Sequence, residues 1–319
     1  MNRHHLFLTK TLLLIIASLY LSVIVAGQTR NPKTVGCEIP STSAAELHYE
    51  VKGSGDPILF LHGFGANLHT WDKLLPLQNK YRLILVDLKG AGESPKPHDK
   101  DYGIQKQADL VYEIIRKLDL RNLTIVGNSY GGGVSLLLAI RLCAEKPDCL
   151  SSLILIDPGA YKKYLPWHLT ILKFPLVYRF LICRLRSEWA VRLILREAYY
   201  DDTKITPEQI ENYARPLDMP GGRYALVQTA RQTIPPNMKE IEKQYPTISV
   251  PTLILWGRED KIMPLKVGKL LRCAIKNSKL EVMCHTGHAP QEERPEATML
   301  RIESFLDTIY ASRQARKLP

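Results

Sequence analysis

The chain has no Cys-x-x-Cys and no paired Cys/His spacing in its 319 residues, which excludes a zinc site of the usual kind. Cysteine is scarce. The six present, Cys37, Cys143, Cys149, Cys183, Cys273 and Cys284, are an even number, compatible with disulfides in an oxidising compartment. Cys143 and Cys149 are the nearest pair and the candidates for a bridge between the end of one helix and the next loop. No internal repeat is visible, so a solenoid is excluded. No nucleic-acid-binding motif accompanies the basic charge, and that class of partner is set aside.

Acidic residues are also short, 32 against 43 Lys and Arg, for a net charge of +11. The deficit is local. Glu188 is the sole acid from Lys162 to Arg196, among Lys163, Lys173, Arg179, Arg184, Arg186 and Arg192. Aromatic residues such as Tyr164, Trp167, Phe174 and Trp189 interleave with these cations. The plainer reading is a solvated basic face over an apolar underside. The alternative is a segment that lies on an anionic membrane surface.

Charge is missing altogether between Lys10 and Arg30, where Leu12 to Ala26 is mostly apolar. With basic residues before it and Val25 and Gly27 near its end, residues 1–27 read as a secretory signal. The uncharged length is also sufficient for a retained membrane anchor spanning residues 11–27. Either reading places the folded body outside the cytoplasm, in a periplasmic or extracellular compartment. Residues 28–45, with Pro32, Gly36 and Pro40, read as a linker.

What the chain does contain is enough apolar material, 45% of residues, to bury a large core. Short continuous runs at Ile58–Leu61, Leu83–Val86, Leu123–Val126, Leu153–Ile156 and Thr252–Trp256 have the character of strands buried on both faces of a parallel sheet. Leu47–Lys52 alternates as a half-buried strand, and Leu280–Cys284 is the last strand. Helical spacing fills the stretches Trp71–Leu77, Ile104–Leu118, Leu265–Ile275 and Glu296–Tyr310. No strand-like run occurs in residues 158–245, which carry helical apolar patterns broken by Pro166, Pro175, Pro207, Pro216 and Pro220. A structureless loop of that length is implausible, so a helical cap inserted between two core strands is expected. The expected organisation is a core of residues 46–157 and 246–312, a cap of 158–245 and a basic tail of 313–319.

The most informative stretch is LTIVGNSYGGGVSLLL, Leu123 to Leu138. Its Gly127-Asn128-Ser129-Tyr130-Gly131 turn, between a strand and a helix, is the G-x-S-x-G spacing of a nucleophile elbow. A Cβ two residues before or after the serine would crowd strand against helix. Ser129 at the helix N-terminus lies beside free N–H groups suited to negative charge on a reacting oxygen. Downstream, Asp260 and His288 each follow a predicted strand, completing the order nucleophile, acid, base. Asp157 follows a strand too and is a rival acid; His285 is a rival base.

On these residues the chain resembles a capped α/β-hydrolase from about Glu46 to Tyr310. The motifs are HGFG (His62–Gly65), the D-x-x-G-x-G-x-S turn (Asp87–Ser94), GNSYGG (Gly127–Gly132), WGREDKIMP (Trp256–Pro264) and GHAPQEERP (Gly287–Pro295). The resemblance implies an α/β fold with a mostly parallel eight-stranded sheet flanked by helices. It implies Ser129 as nucleophile, His288 as base, Asp260 as the acid orienting it, and backbone N–H groups of Phe64 and Tyr130 as the oxyanion hole. His62 is read as structuring its loop. No cofactor and no metal are implied; the expected partner is a small-molecule ester or related acyl substrate.

A serine at the elbow disfavours dehalogenase and epoxide-hydrolase activities, whose family members use aspartate there. GNSYGG under a helical cap also resembles hydrolases that cleave carbon–carbon bonds of ring-cleavage products. Those commonly carry an aromatic residue after the base histidine, where this chain has Ala289. Ester hydrolysis therefore ranks first, carbon–carbon hydrolysis second and perhydrolase side activity third. A non-catalytic hydrolase-fold binding protein is the reading from another class.

Overall fold

The computed structural model describes residues 46–164 and 186–315. The signal or anchor reading of residues 1–27, the linker 28–45, Cys37, Cys183, and the cap residues 165–185 lie outside the described residues. Seven strands form one sheet: β1 (Tyr49–Lys52), β2 (Pro57–Leu61), β3 (Arg82–Val86), β4 (Leu123–Asn128), β5 (Leu150–Ile156), β6 (Thr252–Gly257) and β7 (Ser278–Met283). Their order is β1-β3-β2-β4-β5-β6-β7. Only the β1–β3 pairing is antiparallel.

Every residue of β2, β4 and β6 is buried, as strands covered on both faces require. Alternation divides them between two cores. Leu59, Leu61, Ile125, Leu153, Leu155 and Ile254 point into one. Ile58, Phe60, Val126, Ile154, Ile156 and Leu255 point into the other. The first core is closed by α1 (Ile104–Lys117), α2 (Ser129–Glu145) and α7 (Lys266–Ala274), the second by a 3-10 helix (Leu68–Asn79) and α9 (Pro295–Ala315).

The family resemblance implied eight strands; seven are present among the described residues. The chain offers seven strand-type runs there, and β1 is a short edge strand with half-exposed residues whose outer side pairs with no described strand. The stretch Trp71–Leu77 is 3-10 and not α-helical, with Pro76 inside it, where the ring removes an N–H from the ladder. The candidate Cys143–Cys149 bridge is absent: both are free thiols, and the buried Cys149 sulfur donates to the Leu120 carbonyl at 3.1 Å. The last helix also runs to Ala315, beyond the expected start of a tail at residue 313. Arg313 is held there by Asp56 Oδ2 at 3.2 Å.

Between β5 and β6 the described chain is helical: α3 (Ser187–Ala198), α4 (Pro207–Asp218), α5 (Gly222–Gln232) and α6 (Met238–Glu242). The Thr206 hydroxyl caps α4 by accepting the Gln209 N–H at 3.1 Å, and Pro207 occupies the first helical turn. These helices have an apolar cluster of their own, with Val191, Leu195, Tyr199, Ile210 and Tyr213 packed on Ala289. Among the described residues no helix is long and apolar enough to cross a membrane.

The chain lays β3 on one side of β2 and then crosses to lay β4 on the other. That reversal opens a crevice outside the carboxyl ends of β2 and β4, the place where open α/β sheets bind ligands. The HGFG loop leaves β2 and the Ser129 turn leaves β4 at this crevice.

Candidate active site

Ser129 sits at φ 52°, the left-handed region that a side chain adopts only under constraint. Two glycines permit the turn. A Cβ on Gly127 would lie 2.2 Å from Ser135 Oγ and 2.5 Å from the Gly131 carbonyl, both on α2. A Cβ on Gly131 would lie 2.2 Å from the carbonyl of Leu61 at the end of β2. The first glycine thus lets β4 meet its own helix, and the second lets that helix lie against the neighbouring strand. Asn128 adds a clamp: its amide donates to the carbonyls of Ile156 and His288, both at 3.1 Å.

Ser129 Oγ lies 2.7 Å from His288 Nε2, and His288 Nδ1 lies 2.7 Å from Asp260 Oδ2. Asp260 Oδ1 accepts the N–H groups of Ile262 at 2.7 Å and Met263 at 2.9 Å. A carboxylate so surrounded by donors is an acceptor toward the imidazole, which places the ring proton on Nδ1 and leaves Nε2 to receive the serine proton. His285 is exposed, and its ring lies against Tyr200, away from this chain of bonds. Asp157 is fully buried, accepts the Gly257 N–H at 2.9 Å and makes no hydrogen bond to His288. Burial, and then the neighbouring Asp260 charge, push its carboxyl well above the usual carboxylate range.

Among the described residues, Asp157, Asp260 and His288 form the one His/Cys/Asp/Glu group with donor atoms close enough for a metal, within 4.8 Å. Both ring nitrogens of His288 and both oxygens of Asp260 are already committed to Ser129, to each other and to backbone N–H groups.

The HGFG loop is held by His62, whose Nδ1 contacts the Gly63 carbonyl at 2.8 Å while Nε2 accepts the Leu88 N–H at 3.0 Å. One nitrogen donates and the other accepts, so the ring is neutral. Burial lowers its pKa, against the opposing pull of Asp87 and of the Gly63 carbonyl. Phe64 and Tyr130 line one narrow cleft that also has Leu88, Leu217 and Leu226 in its wall; neither Ser129 nor His288 lines it. The Tyr130 N–H belongs to the first turn of α2, where N–H groups have no intrahelical acceptor.

The histidine loop is fastened to the cap. The His288 N–H donates to the Ala198 carbonyl at 2.6 Å, and a Cβ on Gly287 would lie 2.2 Å from that oxygen. Glu293 accepts the N–H groups of Gly287, Tyr200 and Asp201 at 2.7, 3.3 and 2.9 Å. Buried Glu292 accepts from Thr70 at 2.5 Å, Tyr213 at 2.8 Å, Tyr199 at 3.1 Å and the amide of Gln209. Sequence reasoning missed these two glutamates as fasteners. Glu292's partners lie 79 to 222 residues away, so no local spacing signals the role.

A family profile described as alpha/beta hydrolase fold matches residues 56–295. The uncharacterized hydrolase YugF of Bacillus subtilis is 30% identical, over 81% of this chain and 92% of its own length. Lipase 1 of Psychrobacter immobilis is 26% identical, over 85% and 84% respectively. Among solved structures, a meta-cleavage product hydrolase from Pseudomonas fluorescens superposes with a TM-score of 0.69 at 23% identity, covering 82% of this chain and 94% of that one.

Proposed function

The chain belongs to the α/β-hydrolase fold family, and from that membership we propose that it is a serine hydrolase of small to medium carboxylic esters. One observation carries the reading: the unbroken series Ser129 Oγ, His288 Nε2, His288 Nδ1, Asp260 Oδ2, with both contacts at 2.7 Å. In this mechanism His288 takes the Ser129 proton as Oγ bonds to the ester carbonyl carbon, and the carbonyl electron pair moves onto oxygen. The N–H groups of Phe64 and Tyr130 receive that oxyanion, where one well-placed donor lowers the barrier by about 3 kcal/mol. The pair returns, the alcohol leaves with the proton from His288, and water repeats the sequence on the acyl-enzyme. Asp260 keeps the imidazole in the reactive tautomer and stabilises its protonated form. Similarity to a protein named Lipase 1 supports an ester substrate.

Carbon–carbon hydrolysis of a diketone is the second reading, supported by the GNSYGG elbow. Against it, Ala289 is buried in the cap cluster beside Tyr199 and Ile210, so this position brings no aromatic ring to the substrate. A panel of p-nitrophenyl esters of graded acyl length, run beside a vinylogous diketone, tests both. Ester turnover that declines with acyl length is expected; turnover of the diketone alone overturns the ester reading.

The cap face is the proposed contact with lipid. On α3, Trp189, Leu193 and Ile194 are exposed large hydrophobic residues, and Arg192 and Arg196 are exposed on the same helix. Apolar residues flanked by cations suit the headgroup region of an anionic bilayer. The chain without residues 1–27 is expected to sediment with anionic phospholipid vesicles, and Trp189→Ala with Leu193→Ala to weaken that. Retention equal to that on neutral vesicles removes the docking role.

A further inference from the structure

The interior of the sheet edge holds a second carboxyl that the mechanism above does not use. Asp157 follows β5 at φ 44°, and its side chain is wholly buried. One oxygen accepts the Gly257 N–H at 2.9 Å. The other, Oδ2, is buried and accepts no donor among the described residues. Yet oxygens of Asp157 and Asp260 and a ring nitrogen of His288 all lie within 4.8 Å of one another. A buried carboxyl oxygen without a donor is costly as an anion, and doubly so beside another carboxylate. The cost disappears if that oxygen carries a proton and is itself the donor.

Two neighbouring carboxyls of this kind divide one negative charge. Asp260 has the stronger claim to it, because Ile262 and Met263 donate to Oδ1 and His288 to Oδ2. Asp157 has one backbone donor. Burial, then Asp260, and also Glu293 favour the neutral form of Asp157, while the Gly257 N–H opposes them; His288, within 4.8 Å, opposes them only when it carries the serine proton.

We propose that Asp157 is a positioning residue of the Ser129–His288–Asp260 site, a neutral carboxylic acid whose O–H is given to the Asp260 carboxylate and holds it against the imidazole. The proton stays on Asp157 throughout turnover. This rests on the serine-hydrolase reading and adds a fourth side chain to it. Its action is indirect, through the place and basicity of Asp260.

The test uses Asp157→Ala, Asp157→Asn, Asp260→Asn and the double variant Asp157→Asn with Asp260→Asn. Each is measured for labelling by a fluorophosphonate probe and for p-nitrophenyl ester kcat and KM from about pH 5 to about pH 10. Asp157→Ala removes the donor and is expected to lower kcat about tenfold with KM within about twofold. Asp157→Asn keeps a donor toward Asp260 and an acceptor for the Gly257 N–H, and is expected to recover most of that loss.

In Asp260→Asn the neighbouring charge is gone, and the freed Asp157 ionises as pH rises. Residual activity then climbs through an ionisation that the double variant lacks. If the alanine variant does not fold, the two backgrounds carrying asparagine at 260 decide the matter. Equal losses in the alanine and asparagine variants, or superimposed pH profiles of the single and double asparagine variants, overturn the proposal. A wild-type chain whose labelling does not depend on Ser129 overturns the hydrolase reading, and this proposal with it. Labelled wild type with superimposed profiles overturns this proposal alone.

Discussion

Ser129→Ala is expected to lower kcat on p-nitrophenyl esters at least about ten-thousandfold and to abolish fluorophosphonate labelling. The physical reason is the loss of the bond-forming oxygen: what remains is an oxyanion hole and a base with no nucleophile to activate. His288→Ala is expected to lose a similar factor, because Oγ, 2.7 Å from Nε2, no longer has an acceptor for its proton. The two losses are not additive. The double variant should be about as slow as either single one, since residues that act as a unit lose their joint effect once.

The same site predicts a change of stability in the opposite direction. Ser129 is held at φ 52°, a conformation that glycine adopts without the steric penalty a Cβ brings. Ser129→Gly is therefore expected to raise stability by about 1 kcal/mol while removing activity, whereas Ser129→Ala keeps the strain and should leave the melting temperature nearly unchanged. Full activity in Ser129→Ala would sink the nucleophile assignment. A melting temperature lowered in Ser129→Gly would sink the strain argument.

Glu292→Ala is expected to cost about 4 kcal/mol of stability, because several buried donors lose their acceptor at roughly 1–3 kcal/mol each and a cavity is left. Those donors come from Thr70 in the core and from Tyr199, Gln209 and Tyr213 on the cap side. The loss therefore loosens the cap and the loop that carries His288, and kcat should fall with stability. At about 2–4 °C per kcal/mol for a domain of this size, the melting temperature should drop by about 10 °C.

Glu292→Gln keeps the shape and separates charge from packing. Burial raises the Glu292 carboxyl above its ordinary 4.5, against the opposing hydrogen bonds of Thr70, Tyr213, Tyr199 and Gln209. A carboxyl raised in the folded state binds protons more tightly than in the unfolded chain. Its linked stability is fully present below pH 4.5 and is lost as pH rises through the raised value. The stability of the wild type relative to Glu292→Gln should therefore decrease from acid toward neutral pH. Denaturant unfolding of both proteins across that range measures the difference; a wild type that gains stability relative to the variant toward neutral pH reverses the sign and overturns this account.

Much of the fold was legible because its signals are local. Buried parallel strands need continuous apolar runs, and Ile58–Leu61 or Leu123–Val126 read as such without knowledge of their neighbours; the strands run Pro57–Leu61 and Leu123–Asn128. The 3-10 character of Leu68–Asn79 was less legible, since its amphipathic pattern resembles an α-helix and Pro76 marks only a break. Near the end of the helix that reaches Ala315, Arg313 meets Asp56 from far earlier in the chain, a contact that no local pattern signals. The thiols of Cys143 and Cys149 stay unbridged although close in sequence, and the buried Cys149 meets the Leu120 carbonyl instead, a contact that sequence spacing does not signal.

By itself the sequence determined the strand–helix alternation, the glycine-flanked turn around Ser129, and the order in which serine, aspartates and histidines follow the strands. Each is set by periodicity or by backbone sterics within a few residues, and such forces act before the chain has folded. The family motifs implied Asp260 over Asp157 and His288 over His285, but their contacts with the imidazole and with Ser129 belong to the tertiary structure, which alone shows that Glu292 joins cap to core. Those outcomes depend on distance and desolvation among residues that meet only when separate strand ends converge on one edge of the sheet.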